Sequence, residues 1–372
     1  MKESVYYVGF NANNAIKNED FFAGSFTLYP TNEKGNINFL SDVPKYSDEE
    51  LFSKYQEFCN NKIDELLEQN PNTKIMCFNK KAKKLCVKFK DNFTKSNDDK
   101  LVDTLNNKFE IRELVKDVVP ILNYFWIDDL TLSYEEIVQK FNTTTFVVQA
   151  VTGAGGTTTY FVNNNKEYDD IKNRTGKFCI SAYIKNTPLN VTAIICDDKN
   201  IVFPTSAQLI LSNNKNFMYV GGDFIFGLNL SDSVKKDVAK YTQNILNVVK
   251  GLGYRGIIGI DYILTKDNTV MFMEINPRFQ ASSFLINMEL KKNGLPCLAE
   301  LNYKALNGLE ITNNFENLKI NYAFLNCNQT TTFSQFENVD IVIQGYYEKN
   351  PTSVYRKIYN YSVLNSDIFE HI

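Results

Sequence analysis

Two carboxylates and an amide near residue 270 could together hold a divalent cation. The runs IIGIDYIL and VMFMEIN each read as a strand, and Asp267-Asn268 between them favours a tight turn. With this turn, Asp261 and Glu274 face each other across a hairpin, and Asn276 lies on the same face. Opposed carboxylates repel each other unless a cation lies between them. An all-oxygen set of this kind suits magnesium, which shares its remaining positions with water and substrate phosphates.

An arginine follows the second strand of this hairpin. Pro277 ends the strand, and Arg278 could then bind a phosphoryl or carboxylate oxygen through two parallel hydrogen bonds. Met271, Met273 and Ile275 are expected to point the other way, into a core. A water-exposed acidic hairpin is the alternative interpretation, and the hairpin alone does not decide between the two.

A loop rich in glycine and hydroxyl groups joins two further predicted strands, 146 to 151 and 159 to 162. It contains Gly153, Gly155 and Gly156, but it lacks GK[ST] and a following helix, so it is neither a P-loop nor a dinucleotide fingerprint. The backbone N–H groups of such a loop can close over phosphates. A plain mobile hairpin is the alternative.

Composition and charge favour a globular protein that binds small ligands. Of the 372 residues, 44% are apolar, which allows a large core. The 40 basic and 43 acidic residues are interspersed, so no nucleic-acid or membrane partner is expected. The sequence has no evident signal peptide and no run of membrane-spanning length, which predicts a cytoplasmic protein.

Cysteine and histidine usage excludes several kinds of chemistry. The seven cysteines form no CxxC pair and lie mostly in apolar runs, so we expect reduced core thiols rather than disulfides or a zinc site. The one histidine, His371, is the penultimate residue, which argues against a Ser-His or Cys-His pair. Carboxylates, lysines, arginines and a metal must therefore do any catalytic work.

The elements that position these residues predict an α/β fold, with α+β character, in four parts. Residues 1 to 100 read as a small α/β domain that ends in the polar stretch 91 to 100. Its predicted elements are a strand from Ser4 to Gly9, a helix from the capping box Ser47 to Glu50 up to Pro71, and strands at 74 to 78 and 84 to 89.

Three further parts follow, at 101 to 180, 181 to 300 and 301 to 372. The first contains the glycine loop, the second the metal hairpin, and the third is a C-terminal extension with weak periodicity. Their predicted elements are a helix from Lys100 to Lys116, strands from Phe178 to about residue 211, a helix capped by Ser231 and ending at Lys250, and the hairpin strands 257 to 264 and 270 to 276.

The order of these features resembles the ATP-grasp superfamily. Lys108 in NNKFEIREL, the loop FVVQAVTGAGGTTTY, the strand SAYI, Asp261 and EINPRF follow one another as in that family, and EINPRF is the most specific part. The resemblance covers roughly residues 100 to 300. It implies an ATP-grasp fold, preceded by the small α/β domain that commonly comes before it.

The resemblance also implies roles for individual positions. Lys108 would reach the nucleotide phosphates, although a solvated helix lysine is the alternative. The three loop glycines would cover the phosphates, and the backbone of the strand from Ser181, around Tyr183 and Ile184, would hydrogen-bond the adenine of ATP. Asp261, Glu274 and Asn276 would hold one or two Mg²⁺ ions, with Mn²⁺ as a substitute, and Glu274 and Arg278 would be catalytic.

Three positions depart from the family pattern. Gln149 stands where many members carry a lysine against the phosphates, so one positive charge is absent unless Lys177 or Lys185 replaces it. Asn190 stands where many members have a ribose-binding glutamate. The strand SAYI begins with Ser181 instead of the usual glutamate. Nucleotide affinity is therefore open, while the predicted metal set is complete.

The activity implied by the resemblance is ATP-dependent ligation of a carboxylate to an amine through an acyl phosphate, with release of ADP and phosphate. Both substrates would be small molecules, with amino acids or peptides preferred. Arg255 or Arg356 could hold a substrate carboxylate, although solvated surface arginines are the alternative. The alternatives are a carboxylase subunit, a kinase-like enzyme, or a nucleotide-binding regulator without catalysis. A homodimer is the default expectation for oligomeric state.

Overall fold

The computed structural model describes residues 4–10, 21–28, 36–39, 48–151, 158–212, 217–329, 341–347 and 350–364. These residues form three sheets with helices packed around them, which confirms the predicted α/β class. The strands are β1 (Val5–Gly9), β2 (Phe22–Thr27), β3 (Asn36–Asn38), β4 (Lys74–Met76), β5 (Tyr124–Asp128), β6 (Phe146–Ala150), β7 (Thr159–Val162), β8 (Lys177–Ala182), β9 (Asn186–Ile195), β10 (Asn200–Val202), β11 (Ser206–Ser212), β12 (Phe217–Asp223), β13 (Gly256–Thr265), β14 (Val270–Asn276), β15 (Ala323–Gln329), β16 (Ile341–Tyr347) and β17 (Asn350–Tyr359). The helices are α1 (Asp48–Gln69), α2 (Lys80–Leu85), α3 (Asp99–Asn106), α4 (Lys108–Val115), α5 (Tyr134–Phe141), α6 (Asn165–Asp169), α7 (Phe224–Leu228), α8 (Asp232–Gly251), α9 (Ser283–Lys292) and α10 (Leu298–Leu306).

The N-terminal sheet is parallel, with strand order β3-β2-β1-β4. One face buries Val8, Phe26 and Ile75 against α1. Within that helix, the Tyr55 hydroxyl donates to the carbonyl of Gly9 at 2.6 Å and thereby ties α1 to the sheet. Since the other face packs on the central part of the chain, this sheet is anchored on both sides. Ser47 of the predicted capping box lies outside the described residues.

The predicted strand at 84 to 89 is wrong, because this segment is helical. The Asn79 side chain accepts the backbone N–H of Ala82 at 2.8 Å and starts α2, and a short 3₁₀ helix, Val87–Asn92, follows. The buried residues are Ala82, Leu85, Cys86 and Phe89. Their spacing of three and four residues is that of a helix with one buried face, not the alternation of a strand.

The predicted single helix from Lys100 to Lys116 is in fact two helices, α3 and α4. Asn107 separates them, and its side chain accepts the backbone N–H groups of Phe109 and Glu110 at 3.0 and 3.2 Å. Lys108 thus becomes the first residue of α4, and its own N–H donates to the carbonyl of Val151 at 3.0 Å. A capped helix start therefore fixes the position of Lys108 beside β6.

The largest sheet has the order β14-β13-β9-β11-β12-β15-β17-β16, with β10 added beside β9. One face of β13 buries Ile258, Ile260 and Tyr262 in the core that includes residues of α8. The opposite face begins with Ile257, which packs with residues of α9 and α10, and continues to Asp261. This face of β13 therefore changes from apolar to polar along its length. The polar end carries Asp261, one of the predicted site residues.

The third sheet is antiparallel, with the order β5-β8-β6-β7, and the strand pair on either side of the glycine loop is confirmed. The limits drawn above for the four parts of the chain remain a prediction. No helix in the described part of the chain is long and apolar enough to cross a membrane. The six cysteines whose side chains are described are all free thiols, as expected.

We predict that Gly256→Ala destabilises the fold by about 1 to 3 kcal/mol. Gly256 has a φ of 93°, and an added Cβ would lie 2.2 Å from Asn302 Oδ1, which accepts the N–H of Ile257. Chemical denaturation measures the change. The matched control is Gly251→Ala, where no heavy atom lies within 4 Å of the new Cβ, and its effect should stay within about 0.5 kcal/mol. Equal effects of the two substitutions would contradict the prediction.

Candidate active site

The β13–β14 hairpin has the predicted register where it carries Asp261 and Glu274. Asp261 pairs with Glu274, and Gly259 pairs with Asn276. The register shifts next to Asp261, so that Tyr262 pairs with Phe272 and leaves Met273 as an extra residue in β14. Such a bulge changes the alternation of side chains along the strand.

The prediction that Met273 points into the core is wrong, because the bulge turns this residue to the other face. Met273 lines the cavity described below instead of pointing into the core, and Met271 is partly exposed. Ile275 does lie in the core, as predicted. The bulge therefore places Met273 beside Glu274 on the wall of the site.

A row of polar residues crosses four neighbouring strands at the height of Asp261. Asn190 of β9 pairs with Asp261 on one side and with Ser206 of β11 on the other, and Glu274 continues the row on β14. Directly opposite residues in antiparallel strands share one face. The four side chains therefore line the same surface, with Asp261 and Glu274 next to each other.

Gly259 leaves room for a glutamine above the next row. A Cβ added to Gly259 would lie only 2.0 Å from the carboxamide carbon of Gln280, so the glycine allows this close approach. The Gln280 amide oxygen accepts a hydrogen bond from the Thr192 hydroxyl at 3.0 Å. Sequence reasoning missed Gln280. Gly259 interrupts the isoleucines of the run GIIGID, and a glycine inside a strand indicates that another group approaches the backbone closely.

Asp261 accepts hydrogen bonds from side-chain amides. The Nδ2 group of Asn190 donates to its Oδ1 at 2.6 Å, and the Nδ2 group of Asn276 donates to its Oδ2 at 2.9 Å. Arg278 in turn donates to Asn276 Oδ1 at 2.8 Å. Asn190 therefore acts here as a partner of Asp261, and a ribose role for it has no support in these contacts.

The pKa of the Asp261 carboxyl is raised to about 7. Burial is the largest cause, and the negative charge of Glu274 adds to it. Hydrogen bonds from Asn190 and Gln208 and the charge of Arg278 act in the opposite direction but do not cancel the effect. A cation between the carboxylates would favour the ionised form, so this carboxyl is in the environment expected of a metal ligand.

Glu274 forms an ion pair with Lys108. The Lys108 ammonium lies 3.0 Å from Glu274 Oε2, and the lysine side chain is only 7% exposed. The described residues gather no group of three His, Cys, Asp or Glu side chains that could hold a metal. Two carboxylates and the amide oxygen of Asn276 fit Mg²⁺ only if water and phosphate oxygens complete its shell, which is the usual arrangement for this ion.

A cavity of about 690 Å³ lies between the small sheet and the polar half of the large sheet. Every residue that the family resemblance assigned to the site, and that lies in the described part of the chain, lines this cavity. Gly153, Gly155 and Gly156 lie outside the described residues. The predicted residues that line the cavity are Lys108, Gln149, Ser181, Tyr183, Ile184, Asn190, Asp261, Glu274, Asn276 and Arg278.

Some of the side chains that line the cavity are apolar and could contact a flat ring. They include Val147, Ile184 and Met273. The Tyr183 N–H donates to the carbonyl of Thr145 at 3.1 Å, and the carbonyl of Ile184 accepts the Asn186 amide at 2.6 Å. Both backbone groups are thus engaged here, and the adenine role of this segment remains a prediction.

The candidate arginine and replacement lysines lie elsewhere. Lys177 lies 3.7 Å from the centre of the Phe109 ring, and neither it nor Lys185 lines the cavity. Arg255 pairs with Asp197 at 2.6 Å, also away from the cavity. The structure therefore does not bring these three residues to the cavity. Arg356 lies on β17, and its side chain is outside the described part.

Comparison with known proteins agrees with this geometry. A family model described as an ATP-grasp domain matches residues 105–282, which contain the small sheet, the hairpin and Arg278. Residues 105–282 are therefore similar to an ATP-grasp domain. The Asp261–Glu274 pair lies within the matched segment, and so do the residues that line the cavity, apart from Leu364.

Known enzymes are similar to this chain in sequence or in fold. A D-alanine–D-alanine ligase of Phocaeicola vulgatus is 28% identical over 166 residues, and the match spans 41% of this chain but only 48% of that ligase. The L-amino acid ligase of Bacillus licheniformis has a TM-score of 0.63 at 12% identity, covering 100% of this chain and 96% of that one. The biotin carboxylase domain of Hydrogenobacter thermophilus 2-oxoglutarate carboxylase has a TM-score of 0.63 at 14% identity, covering 96% and 85%. The structural matches establish a shared fold.

We predict that magnesium stabilises the ADP-bound protein more at about pH 8 than at about pH 6, because protons compete with the cation for Asp261. Since the carboxyl's pKa is higher in the folded than in the unfolded chain, its contribution to stability is largest at low pH. That contribution is lost as the pH rises through about 7. Thermal unfolding with ADP, with and without magnesium, measures the increment. An equal increment at both pH values would contradict the assignment.

Proposed function

We propose that this protein is an ATP- and magnesium-dependent ligase that joins a small carboxylate to an amine. The γ-phosphoryl group of ATP passes to the carboxylate oxygen, which gives an acyl phosphate and ADP. The amine nitrogen then attacks the acyl carbon, and inorganic phosphate leaves as the amide bond forms. The amine also loses a proton in this step.

The observation that supports this proposal best is the convergence of charge on one cavity. Asp261 and Glu274 lie side by side at its floor, with Lys108 and Arg278 against them. A site with both carboxylates and cationic side chains can bind a cation and a polyphosphate together. A structural hairpin without a ligand would have no need to gather these four charged groups in a cavity.

Each of these residues has a defined task in the proposed reaction. Magnesium, held by Asp261, Glu274 and Asn276, would neutralise phosphate charge when bound. Lys108 is held by Glu274 at the cavity wall and is placed to donate to phosphate oxygens. Arg278 is kept in place by its bond to Asn276 and would stabilise charge on the transferring phosphoryl group. Positioning and charge neutralisation carry the catalysis, so no histidine is required.

Amino acids are the first substrates to test. The matched relatives include a D-alanine–D-alanine ligase and an L-amino acid ligase, and both names place amino acids among their substrates. The lining of the cavity also includes a glutamine, an aromatic ring and two aliphatic side chains, which suit a substrate with a short apolar group. These lining residues are Gln208, Ile210, Tyr219 and Leu364.

The deciding experiment measures ADP and AMP release from ATP and magnesium with pools of amino acids, other small acids and amines. We expect ADP release that requires both an acid and an amine, and a fall of about a hundredfold or more in Glu274→Gln. The matched control is Asp197→Asn, which removes a carboxylate paired with Arg255 outside the cavity and should leave the rate unchanged.

Other outcomes would identify a different reaction. AMP release would show adenylation and would contradict the acyl-phosphate step. ADP release with bicarbonate and no amine would favour a carboxylating reaction, the chemistry for which the structurally similar biotin carboxylase domain is named. No release with any pool, together with retained ADP binding, would favour a nucleotide-binding regulator.

A further inference from the structure

Arg112 is a buried cation that sequence reasoning did not single out. It lies on α4, one turn after Lys108, and is only 3% exposed. Its guanidinium donates to the Met273 carbonyl on β14 at 3.2 Å, to Cys179 Sγ on β8 at 2.7 Å, and to Gln149 Oε1 on β6 at 3.0 Å. One side chain thus connects the two sheets that enclose the cavity.

The charge of Arg112 has only neutral partners among the described residues. Within the described chain it forms no ion pair with a carboxylate inside 4.0 Å, and its other neighbours are the rings of Tyr124 and Trp126. Burial raises the pKa of the Cys179 thiol despite the nearby Arg112, which keeps that group neutral. A buried charge without a counter-ion is costly, so an anion bound in the adjacent cavity is favoured.

Arg112 also fixes the orientation of the Gln149 amide. A guanidinium can only donate hydrogen bonds, so the amide oxygen of Gln149 must face Arg112. Its NH₂ group is then directed towards Thr159 Oγ1, at 3.4 Å, on the strand that follows the glycine loop. Gln149 lines the cavity, so this long contact leaves an N–H group available to a ligand.

We propose that Arg112 is a positioning residue for nucleotide binding. It acts through Gln149, whose amide it orients as a donor to the phosphates, and it supplies positive charge from behind the cavity wall. The inference rests on the proposed function, since it takes a nucleotide polyphosphate as the ligand. It also explains how the site does without a lysine at position 149, because charge and donor come from two side chains instead of one.

The test compares ADP with adenosine, which lacks phosphates. Gln149→Glu keeps the size of the side chain, but it pairs with Arg112 and replaces the amide donor with an acceptor. Arg112→Met removes the charge while keeping an unbranched chain. Both variants should weaken ADP binding by about tenfold or more and leave adenosine binding unchanged, as measured by calorimetry without turnover.

Two controls separate this role from general damage to the fold. Gln243→Glu makes the same chemical change on the exposed face of α8 and should bind ADP like the wild type. Gln149→Glu should unfold at or above the wild-type temperature, because it gives Arg112 a counter-ion. If Arg112→Met does not fold, Gln149→Glu alone decides the question.

Three results would overturn the inference. Retained ADP affinity in Gln149→Glu would show that the Gln149 amide does not serve the phosphates. A parallel loss of ADP and adenosine would show a packing role only. If the wild type bound neither ligand, the proposed function would fail as well, which distinguishes that failure from the first two.

Discussion

The repulsion between Asp261 and Glu274 is the constraint on which the rest of the site depends. These carboxylates face each other across a hairpin, and burial raises the pKa of Asp261 to about 7. Asn190 and Asn276 donate to Asp261, while Lys108 pairs with Glu274. The surrounding donors thus reduce the repulsion without removing it, and the pKa of Asp261 stays raised.

Two backbone features deliver these groups to one place. The bulge at Met273 turns Met273 and Glu274 towards the cavity, and the Asn107 cap starts α4 so that Lys108 lies beside Glu274. Arg112, one turn later, binds the carbonyl of the bulge and both neighbouring strands of the small sheet. The two sheets that enclose the cavity are therefore joined by polar contacts of a single helix.

Sequence reasoning reached the parts of the site that local rules determine. Strand alternation and one turn gave the Asp261–Glu274 pairing, which the structure confirms. It failed where a single residue broke regularity, as at the bulge beside Met273 and at the Asn107 cap within a helical pattern. Arg112 was missed because its role depends on Gln149, Cys179 and Met273, which are far apart in the sequence. Contacts of this kind follow from tertiary packing and leave no periodic pattern.

The most direct test of the account is the affinity for ADP with magnesium and with a chelator, compared between wild type and Asp261→Asn. The account predicts that magnesium raises the wild-type affinity by about tenfold or more and has little effect on the variant, which lacks one of the two carboxylates. Equal affinities with and without magnesium in the wild type would contradict the claim that this hairpin is a metal site.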